Sequence, residues 1–266
     1  MTVLKVNQIS IAFGGLKAVS NFNLELNKGE LVGLIGPNGA GKTTVFNMLT
    51  GVHPPDSGEI LFDTGMEGKE QFRNIMGLKP FRITKMGMAR TFQNIRLFKD
   101  LTVLDNVRIA YHFNVKYKSF GAILRTNAFY KEEERITVAA LKLLDLFGIS
   151  SKSEELAKNL PYGEQRKLEI TRALATNPRL LLLDEPAAGM NPQETKELMN
   201  LIKFIRKEFN LTILLIEHDM NLVMGICERI VVLDYGQIIA EGSPEQIKKD
   251  PRVIKAYLGE EVETGA

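Results

Sequence analysis

The sequence contains little cysteine, little net charge and no long apolar run. A single cysteine, Cys227, excludes an internal disulfide framework and favours a reducing compartment. The formal net charge of +2 is too small to predict a surface that attracts nucleic acid or an anionic bilayer. The longest apolar stretches, such as residues 180–183, are far shorter than the roughly 20 residues of a membrane span. Residues 1–5 lack the apolar run of a signal peptide, so we expect none.

The pattern of apolar residues indicates an α/β protein. With 266 residues, 44% of them hydrophobic and 25% charged, the chain is long enough for one large domain or a core with a subsidiary lobe. Alternation of apolar and polar side chains at residues 3–6 and 9–11 predicts antiparallel edge strands. Four continuous apolar runs, separated by helical segments, predict a mainly parallel sheet covered on both faces. These runs are residues 31–35, 180–183, 212–216 and 230–233.

Helix ends are marked by capping residues and glycines. Residues 42–50 are predicted to form a helix that ends at Gly51. Asn191 and Ser243 are each followed by a proline, which is the pattern of an N-cap with proline at the first helical position. The helix that begins after Ser243 is expected to be the last one in the chain.

Residues 101–160 are predicted to form a helical lobe inserted into the α/β core. Ser151 and Glu154 resemble a capping box that opens a short helix there. A longer helix before them is expected to end at Gly148, because apolar residues recur at helical spacing up to that point. The recurring positions are Ile136, Ala140, Leu143, Leu144 and Phe147. Residues 64–90 are irregular and basic, and we expect them to form loops between strands.

A glycine-rich segment between a predicted strand and a predicted helix matches the phosphate-loop pattern G-x-x-x-x-G-K-[ST]. The matching residues are Gly36, Pro37, Asn38, Gly39, Ala40, Gly41, Lys42 and Thr43. Glycines allow backbone N–H groups to surround a phosphate, and the following helix directs its positive end there. Lys42 is expected to bind the β- and γ-phosphates, and the Thr43 hydroxyl is expected to bind Mg²⁺. Thr44, the next residue, is included in the predicted nucleotide site.

An acidic pair follows the apolar run at residues 180–183. Asp184 is expected beside the phosphate loop, where it can hold Mg²⁺ directly or through water. Glu185 is then placed to polarise a water molecule in line with the γ-phosphate. Alone, this pair could mark a strand end that meets solvent. With the phosphate loop upstream, the two motifs predict a nucleoside triphosphatase.

Further segments, in their order along the chain, resemble the ATP-binding-cassette (ABC) family. Thr-Phe-Gln at residues 91–93 is similar to its glutamine loop, and Leu-Pro-Tyr-Gly-Glu-Gln at residues 160–165 lies at the place of its signature motif. Ala-Gly-Met-Asn at residues 188–191 resembles its D-loop, and Glu-His-Asp at residues 217–219 contains its switch histidine. The resemblance covers nearly the whole chain. It implies a RecA-like phosphate-loop core with an antiparallel β edge and an inserted α-helical subdomain.

The resemblance also implies roles for single residues. Gln93 would contact Mg²⁺ or the attacking water and respond to a membrane partner, and His218 would contact the γ-phosphate. Gly189 and Asn191 would lie at the seam of a dimer, and Phe13 would stack on adenine. Ordinary structural roles stay open for some of them, since Asn191 also fits a helix N-cap and Phe13 also fits a core position.

The signature segment departs from the family pattern, which is normally Leu-Ser-Gly-Gly-Gln. Pro161 replaces the serine, Tyr162 the first glycine and Glu164 the glutamine. In the family this segment reaches the γ-phosphate bound by the other subunit, but Pro161 has neither a hydroxyl nor an N–H to offer. Gly163 and the N-terminus of the following helix could still bind the anion in trans. We expect Gly163 to approach a phosphate closely and to need a positive φ.

One branch of the family fits best, the ATPases of bacterial and archaeal importers for branched-chain amino acids. The similar segments are residues 89–98, the Tyr-Gly signature, residues 216–220 and residues 244–259. The resemblance implies two ATPase chains, identical or different, that bind Mg-ATP between them and drive transmembrane permease subunits near residues 93–98. A solute-binding protein would be an indirect partner, and nucleic acid is not expected. The chain would be peripheral, on the cytoplasmic face of the inner membrane.

The expected organisation is one ABC ATPase domain over residues 1–266. Residues 1–93 and 164–240 would form the RecA-like and β core, and residues 94–163 the helical subdomain with the signature segment. Residues 241–266 would form a C-terminal helical tail.

Other functions remain open at this point. An importer for urea or another amide, or an exporter, would contain the same motifs. A soluble cassette ATPase of DNA repair or translation is disfavoured, because the sequence contains neither a long coiled-coil insertion nor a second cassette. A regulatory nucleotide-binding module without turnover would be expected to lack Glu185 or His218, and both residues are in the sequence.

Overall fold

The computed structural model describes residues 1–65, 71–115 and 126–263, which contain ten β-strands and nine α-helices. The strands are β1 Thr2–Phe13, β2 Leu16–Asn27, β3 Leu31–Ile35, β4 Ser57–Asp63, β5 Phe72–Asn74, β6 Met88–Arg90, β7 Leu180–Asp184, β8 Thr212–Ile216, β9 Arg229–Asp234 and β10 Gln237–Gly242. The helices are α1 Lys42–Leu49, α2 Pro80–Lys85, α3 Val103–Tyr111, α4 Asn127–Leu146, α5 Tyr162–Leu174, α6 Pro192–Glu208, α7 Met220–Ile226, α8 Pro244–Ile247 and α9 Pro251–Glu263. Short 3-10 turns occur at His112–Asn114, Ser150–Lys152 and Ala157–Asn159.

The chain forms two compact units. The first consists of Met1–Arg90 and Arg179–Ala266, and the second is Thr91–Pro178. The second unit is longer than the helical subdomain expected at residues 94–163, because α5 packs against α3 and α4 within it. The functional boundaries expected from the sequence stay a prediction.

A six-stranded sheet forms the core of the first unit. Its strand order is β10–β9–β3–β8–β7–β6, and all neighbours are parallel except β10, which is antiparallel to β9. Every residue of β3, β7 and β8 is buried, as expected for strands covered on both faces. Ile216 of β8 pairs with Leu34 on one side and Asp184 on the other. The register therefore places the carboxyl ends of these three strands at one edge, and the predicted parallel sheet is confirmed.

The predicted antiparallel strands form a second, four-stranded sheet of the first unit, in the order β2–β1–β4–β5. Residues 3–6 and 9–11 belong to a single strand, β1, rather than to two. Gln8 interrupts its regular pairing, with a φ of 49° and a register shift between Val6 and Ile9. Both sheets share one apolar cluster with α1, which includes Leu4, Phe22, Phe46 and Phe62. This packing fixes the helix that follows the glycine-rich turn.

The loops expected at residues 64–90 and the capping box expected at Ser151 and Glu154 are both wrong. Residues 64–90 form more than loops, since β5, α2 and β6 lie within them, although residues 66–70 are outside the described residues. These elements are short, and the two strands form by pairing with β4 and β7, which lie elsewhere in the sequence. The capping box expected at Ser151 and Glu154 is also wrong, because the 3-10 turn Ser150–Lys152 begins after Ile149 without a side-chain cap.

Other helix ends agree with the sequence. Capping boxes at Asn191 and Ser243 open α6 and α8, and Gly51 and Gly148 follow α1 and α4 with positive φ. The helix after Ser243 is not the last, because α9 follows it. Cys227 is buried, and this burial raises the pKa of its thiol to about 12. Among the described residues, no helix combines the length and apolarity needed to cross a bilayer.

Candidate functional site

The glycine-rich segment forms a turn between β3 and α1, as predicted. Gly36 has a φ of 151°, and a Cβ at this position would lie 1.9 Å from the Leu233 carbonyl oxygen. Gly41 has a φ of 101°, and a Cβ there would lie 2.7 Å from the Ala18 carbonyl oxygen. The loop therefore follows a path that only glycine allows at these two positions. Of the remaining positions, Pro37 and Ala40 are buried, and Asn38 and Gly39 are exposed.

Lys42, the first residue of α1, lies inside this loop and is only 5% exposed. Its Nζ donates hydrogen bonds of 2.7 Å to the carbonyl oxygens of both Gly36 and Pro37. Thr43, next to it, is exposed, and Thr44 is half-buried. A fixed ammonium group at a helix N-terminus is an arrangement suited to binding an anion.

Asp184 ends β7 and is held by an arginine that the sequence did not reveal as functional. Its carboxylate is 4% exposed, and its Oδ2 accepts a hydrogen bond of 2.6 Å from Arg90 Nη2. Arg90 Nη1 donates to Asn47 Oδ1 at 2.8 Å and to Thr50 Oγ1 at 3.2 Å. Arg90 thus connects the carboxylate to the helix that follows the phosphate loop. Arg90 lies in the segment 89–98 that resembles one branch of the family, but its contact with Asp184 was not predicted, because residues 64–90 were expected to form loops.

The structure brings Glu185 and His218 into contact. Glu185 follows β7 in a left-handed conformation, with a φ of 46°, and its N–H donates to the Ile216 carbonyl oxygen at 2.9 Å. His218 follows β8, the neighbouring strand, and its Nε2 lies 2.7 Å from Glu185 Oε1. The predicted base and the predicted switch histidine therefore form one hydrogen-bonded pair, whose donor depends on the tautomer of His218.

Glu217 is a buried carboxylate beside this pair that was not assigned a role from the sequence. It is 3% exposed, and its two oxygens accept hydrogen bonds from the N–H groups of Ala187 at 2.6 Å and His218 at 3.1 Å. Burial raises the pKa of Glu217, and the nearby Glu185 adds to this effect. In the sequence, Glu217 is marked only as an acidic residue directly after the apolar run of β8. Glu217 holds the backbone on both sides of the Glu185–His218 contact.

The predicted D-loop residues lie between β7 and α6. Gly189 has a φ of 78°. Asn191 is the N-cap of α6, and its Oδ1 accepts hydrogen bonds of 3.0 Å from the N–H groups of Gln193 and Glu194. The ordinary role of Asn191 as a helix cap is therefore present in the structure. Its role at a dimer seam stays a prediction.

Phe13, the predicted adenine platform, is not a core residue. It ends β1 with 47% of its surface exposed, and its ring lies edge-on to His53 at 5.7 Å between centroids. An exposed aromatic ring at a strand end can stack on a planar base. The ring of Phe13 is accessible for the predicted contact.

Gln93 and the signature residues belong to the second unit. The Gln93 carbonyl oxygen accepts a hydrogen bond of 3.0 Å from Arg166 Nη2. Pro161 is the N-cap residue of α5, and Glu164 in the first turn of α5 forms an ion pair of 2.6 Å with Lys152. The expected positive φ at Gly163 is wrong, because this residue lies in the first turn of α5 and has ordinary helical geometry.

The predicted Mg²⁺ ligands suit a metal that is bound together with a nucleotide. Within the described residues, no group of three or more His, Cys, Asp or Glu could hold a metal ion. Thr43 and Asp184 lie in the first unit and Gln93 lies in the second. Their hydroxyl, carboxylate and amide oxygens are hard ligands of the kind Mg²⁺ prefers, and phosphate and water oxygens usually complete its coordination. The chemistry of these donor groups therefore fits Mg²⁺ bound with a nucleoside triphosphate, and their assembly around one ion stays a prediction.

Sequence comparisons find relatives over the whole chain. The family profile described as ABC transporter matches residues 19–188, and the profile described as branched-chain amino acid ATP-binding cassette transporter matches residues 237–263. The chain is 49% identical over 258 residues to the high-affinity branched-chain amino acid transport ATP-binding protein LivG of Escherichia coli K12. This alignment covers 97% of the chain and 98% of LivG.

Solved structures of ATP-binding cassettes have the same fold. One of them is the crystal structure of the ADP conformation of MJ1267, an ATP-binding cassette of an ABC transporter. Its TM-score with this chain is 0.82 at 31% sequence identity, and the match covers 97% of this chain and 99% of MJ1267. Another is the dimeric structure of a post-hydrolysis state of the ATP-binding cassette MJ0796, bound to ADP and Pi. Its TM-score with this chain is 0.71 at 25% sequence identity, and the match covers 91% of this chain and 98% of MJ0796. Family, fold and phosphate loop agree, and the chain belongs to the ABC transporter family as an ATP-binding-cassette ATPase.

Proposed function

We propose that the chain is the ATP-hydrolysing subunit of an importer for branched-chain amino acids. The observation that carries this proposal is the 49% identity to LivG, which extends over 97% of the chain. The match at residues 237–263 adds support, because it lies outside the general cassette match at residues 19–188. The C-terminal segment is thus similar to this branch and not only to cassettes in general.

In this proposal the first unit binds the nucleotide. Lys42 and the loop N–H groups hold the β- and γ-phosphates, and Phe13 stacks on adenine. Thr43 and Asp184 of this unit, with Gln93, would hold Mg²⁺, which neutralises phosphate charge when it is bound. Arg90 positions Asp184, since its hydrogen bonds connect this carboxylate to the helix after the phosphate loop.

Hydrolysis depends on the Glu185–His218 pair. Glu185 accepts a proton from the water molecule that attacks the γ-phosphate. His218 orients the Glu185 carboxylate through the 2.7 Å contact and senses the γ-phosphate. Glu217 fixes the backbone at His218 and at Ala187, two residues after Glu185, because its carboxylate accepts hydrogen bonds from both N–H groups. The proposal therefore combines a positioned base with a phosphate-binding loop, which is what phosphoryl transfer to water requires.

Assembly completes the site. Two ATPase chains, identical or different, would place Pro161, Tyr162, Gly163 and Glu164 of one against the nucleotide of the other, with Gly189 and Asn191 at the seam. Transmembrane permease subunits would bind near residues 93–98, and a solute-binding protein would deliver the cargo to them. The chain would be peripheral at the cytoplasmic face of the membrane.

The cargo is tested by uptake with the assembled transporter. The chain is co-expressed with the permease and solute-binding proteins that co-purify with it from its source, and the complex is reconstituted into vesicles with ATP on the cassette side. We expect ATP-dependent uptake of radiolabelled leucine, isoleucine and valine, and none when the chain contains Glu185→Gln. Uptake of urea or another amide instead, or export of the label, would replace the proposed cargo by one of those alternatives.

A further inference from the structure

Helix α5 contains two oppositely charged side chains that are buried within the second unit. Arg166 is 0% exposed and Glu169 is 2% exposed. They lie three residues apart and form an ion pair, with Arg166 Nη1 2.8 Å from Glu169 Oε2. Burial of an ion pair has a large desolvation penalty, which mutual attraction offsets only when further hydrogen bonds satisfy both groups. The partners in those bonds therefore indicate what the pair holds in place.

The Arg166 guanidinium contacts two segments that are distant in sequence. Nη1 donates to the Phe92 carbonyl oxygen at 2.8 Å. Nη2 donates to the Gln93 carbonyl oxygen at 3.0 Å and to the Tyr162 hydroxyl at 3.2 Å. Phe92 and Gln93 belong to the glutamine loop, and Tyr162 belongs to the signature segment. One planar group therefore joins both segments, and its donors are held in a fixed fork that a lysine ammonium lacks.

Glu169 binds the same loop through backbone N–H groups. Its Oε1 accepts hydrogen bonds from Phe92 at 3.4 Å and from Arg96 at 3.2 Å. The guanidinium carbon of Arg96 lies 4.1 Å from the Phe92 ring centroid. At the other end of the loop, Phe98 donates its N–H to the buried Asn106 at 2.9 Å and accepts from the Asn106 amide at 3.0 Å. Residues 92–98 are thus held by side chains from two helices.

We propose that Arg166 and Glu169 are positioning residues that fix the glutamine loop to the signature segment, so that Gln93 and Tyr162 move together. A displacement of the loop by a membrane partner would then reach the residue at the start of α5 directly. The inference rests on the proposed function, because these two segments affect turnover only if the chain hydrolyses ATP between two cassettes.

The main test replaces the buried pair by apolar side chains in the full chain, as Arg166→Met with Glu169→Leu. Apolar replacement of a buried ion pair commonly preserves stability, so the melting temperature should stay near that of the parent. Amide hydrogen exchange at Phe92 and Arg96 should accelerate, because both lose their acceptor, while the amides of α5 stay protected. With the permease subunits present, kcat for ATP should fall about 10- to 100-fold, the effect expected for a misplacement of about 1 Å. The KM for ATP should change little, since the phosphate loop lies in the other unit.

A matched control exists on α4. Arg135 and Glu132 form an ion pair of 2.9 Å at the same spacing, and the Arg135 side chain is half-exposed. Arg135→Met with Glu132→Leu should leave both kcat and the exchange of residues 92–96 at the parental values. Tyr162→Phe is a second, milder variant at an exposed position. It removes the hydroxyl bonded to Arg166 and should lower kcat about two- to tenfold, the equivalent of one hydrogen bond.

Parental exchange rates at residues 92–96 in the Arg166→Met, Glu169→Leu protein would overturn the inferred link. If amide exchange accelerates in this protein but its kcat stays at the parental value, the link exists and its proposed role in ATP turnover is overturned. If that protein does not fold, Tyr162→Phe decides, and an unchanged kcat in this variant would also overturn the proposal. A parent that hydrolyses no ATP with its membrane partners would refute the proposed function instead, and the exchange measurement would still decide whether the pair fixes the loop.

Discussion

At the scale of single residues, Glu185 is held in a conformation that its side chain would not adopt freely. A positive φ at a non-glycine residue costs about 1–3 kcal/mol and persists only where the surroundings enforce it. Here the Glu185 N–H is bonded to the Ile216 carbonyl oxygen, and the side chain contacts His218 at 2.7 Å. The strain therefore has a structural consequence, because it directs the carboxylate towards the histidine of the neighbouring strand end.

Replacing Glu185 by glutamine should separate ATP binding from ATP turnover. The amide keeps the shape of the side chain but cannot accept a proton from water, so the rate should fall on the order of 10²–10⁴-fold. Binding of ATP should be close to that of the parent, because Lys42 and the phosphate loop are unchanged. Steady-state phosphate release and equilibrium binding of a fluorescent ATP analogue measure the two effects.

Glu197→Gln is the matched control for this substitution, since Glu197 is an exposed glutamate on α6. It should hydrolyse ATP at the parental rate. Near-parental hydrolysis by Glu185→Gln would refute the assignment of Glu185 as the base.

At the scale of elements, the turn between β3 and α1 depends on glycine at some positions and not at others. Gly36 and Gly39 both have a positive φ, but their surroundings differ. A Cβ at Gly36 would lie 1.9 Å from the Leu233 carbonyl oxygen, while a Cβ at Gly39 would have no neighbour within 4 Å. Glycine is thus required at position 36 because β9 packs closely against it. At position 39 glycine is favoured only because the backbone has a positive φ.

Alanine substitutions at these two glycines should therefore have different effects on stability. Gly39→Ala should lower the free energy of unfolding by about 1–2 kcal/mol, the penalty for a left-handed alanine. Gly36→Ala should lower it by about 3 kcal/mol or more, because the backbone of β3 or β9 must move as well. Urea denaturation of both variants measures the difference. Equal losses in the two variants would contradict the close approach to Leu233.

At the scale of the whole molecule, catalysis is expected to need two chains. The signature residues would act on the nucleotide of the partner chain, and a related cassette, MJ0796, has been solved as a dimer. A variant that binds ATP without hydrolysing it should therefore accumulate in the paired state. The buried ammonium of Lys42 is the group expected to hold the nucleotide that joins the two chains.

The Glu185→Gln variant should elute from size exclusion as a dimer with ATP and as a monomer with ADP. If the two ATPase chains are different, the same shift should appear when the variant is mixed with the second chain. Adding Lys42→Ala to this variant should abolish the shift, because the charge facing the terminal phosphates is removed. Light scattering on the eluted peaks gives the mass of each species. A dimer that forms equally with ADP, or that survives Lys42→Ala, would show that pairing does not depend on ATP.

Several signals confined to a short stretch of sequence predicted their structures, although the capping box expected at Ser151 and Glu154 did not form. The turn at residues 36–41 was predicted because a buried strand, glycines and a helix follow one another directly. Asn191 and Ser243 were predicted as caps because an N-cap interacts with the next three residues of its own helix. The parallel sheet followed from apolar runs alone. Family membership was also predicted from motif order, and the comparisons confirm it.

Only the tertiary structure decided which distant residues meet. β5 and β6 have three residues each and exist because β4 and β7 pair with them, so no local pattern marks them. Arg90 acquires its carboxylate partner through the same pairing of β6 with β7. The sequence by itself determined the phosphate loop, the acidic pair and the helix caps at Asn191 and Ser243, because each is encoded within a few consecutive residues. Contacts such as Arg90 with Asp184, or Arg166 with Phe92, depend on strand order and helix packing, which bring together residues that are more than 70 positions apart.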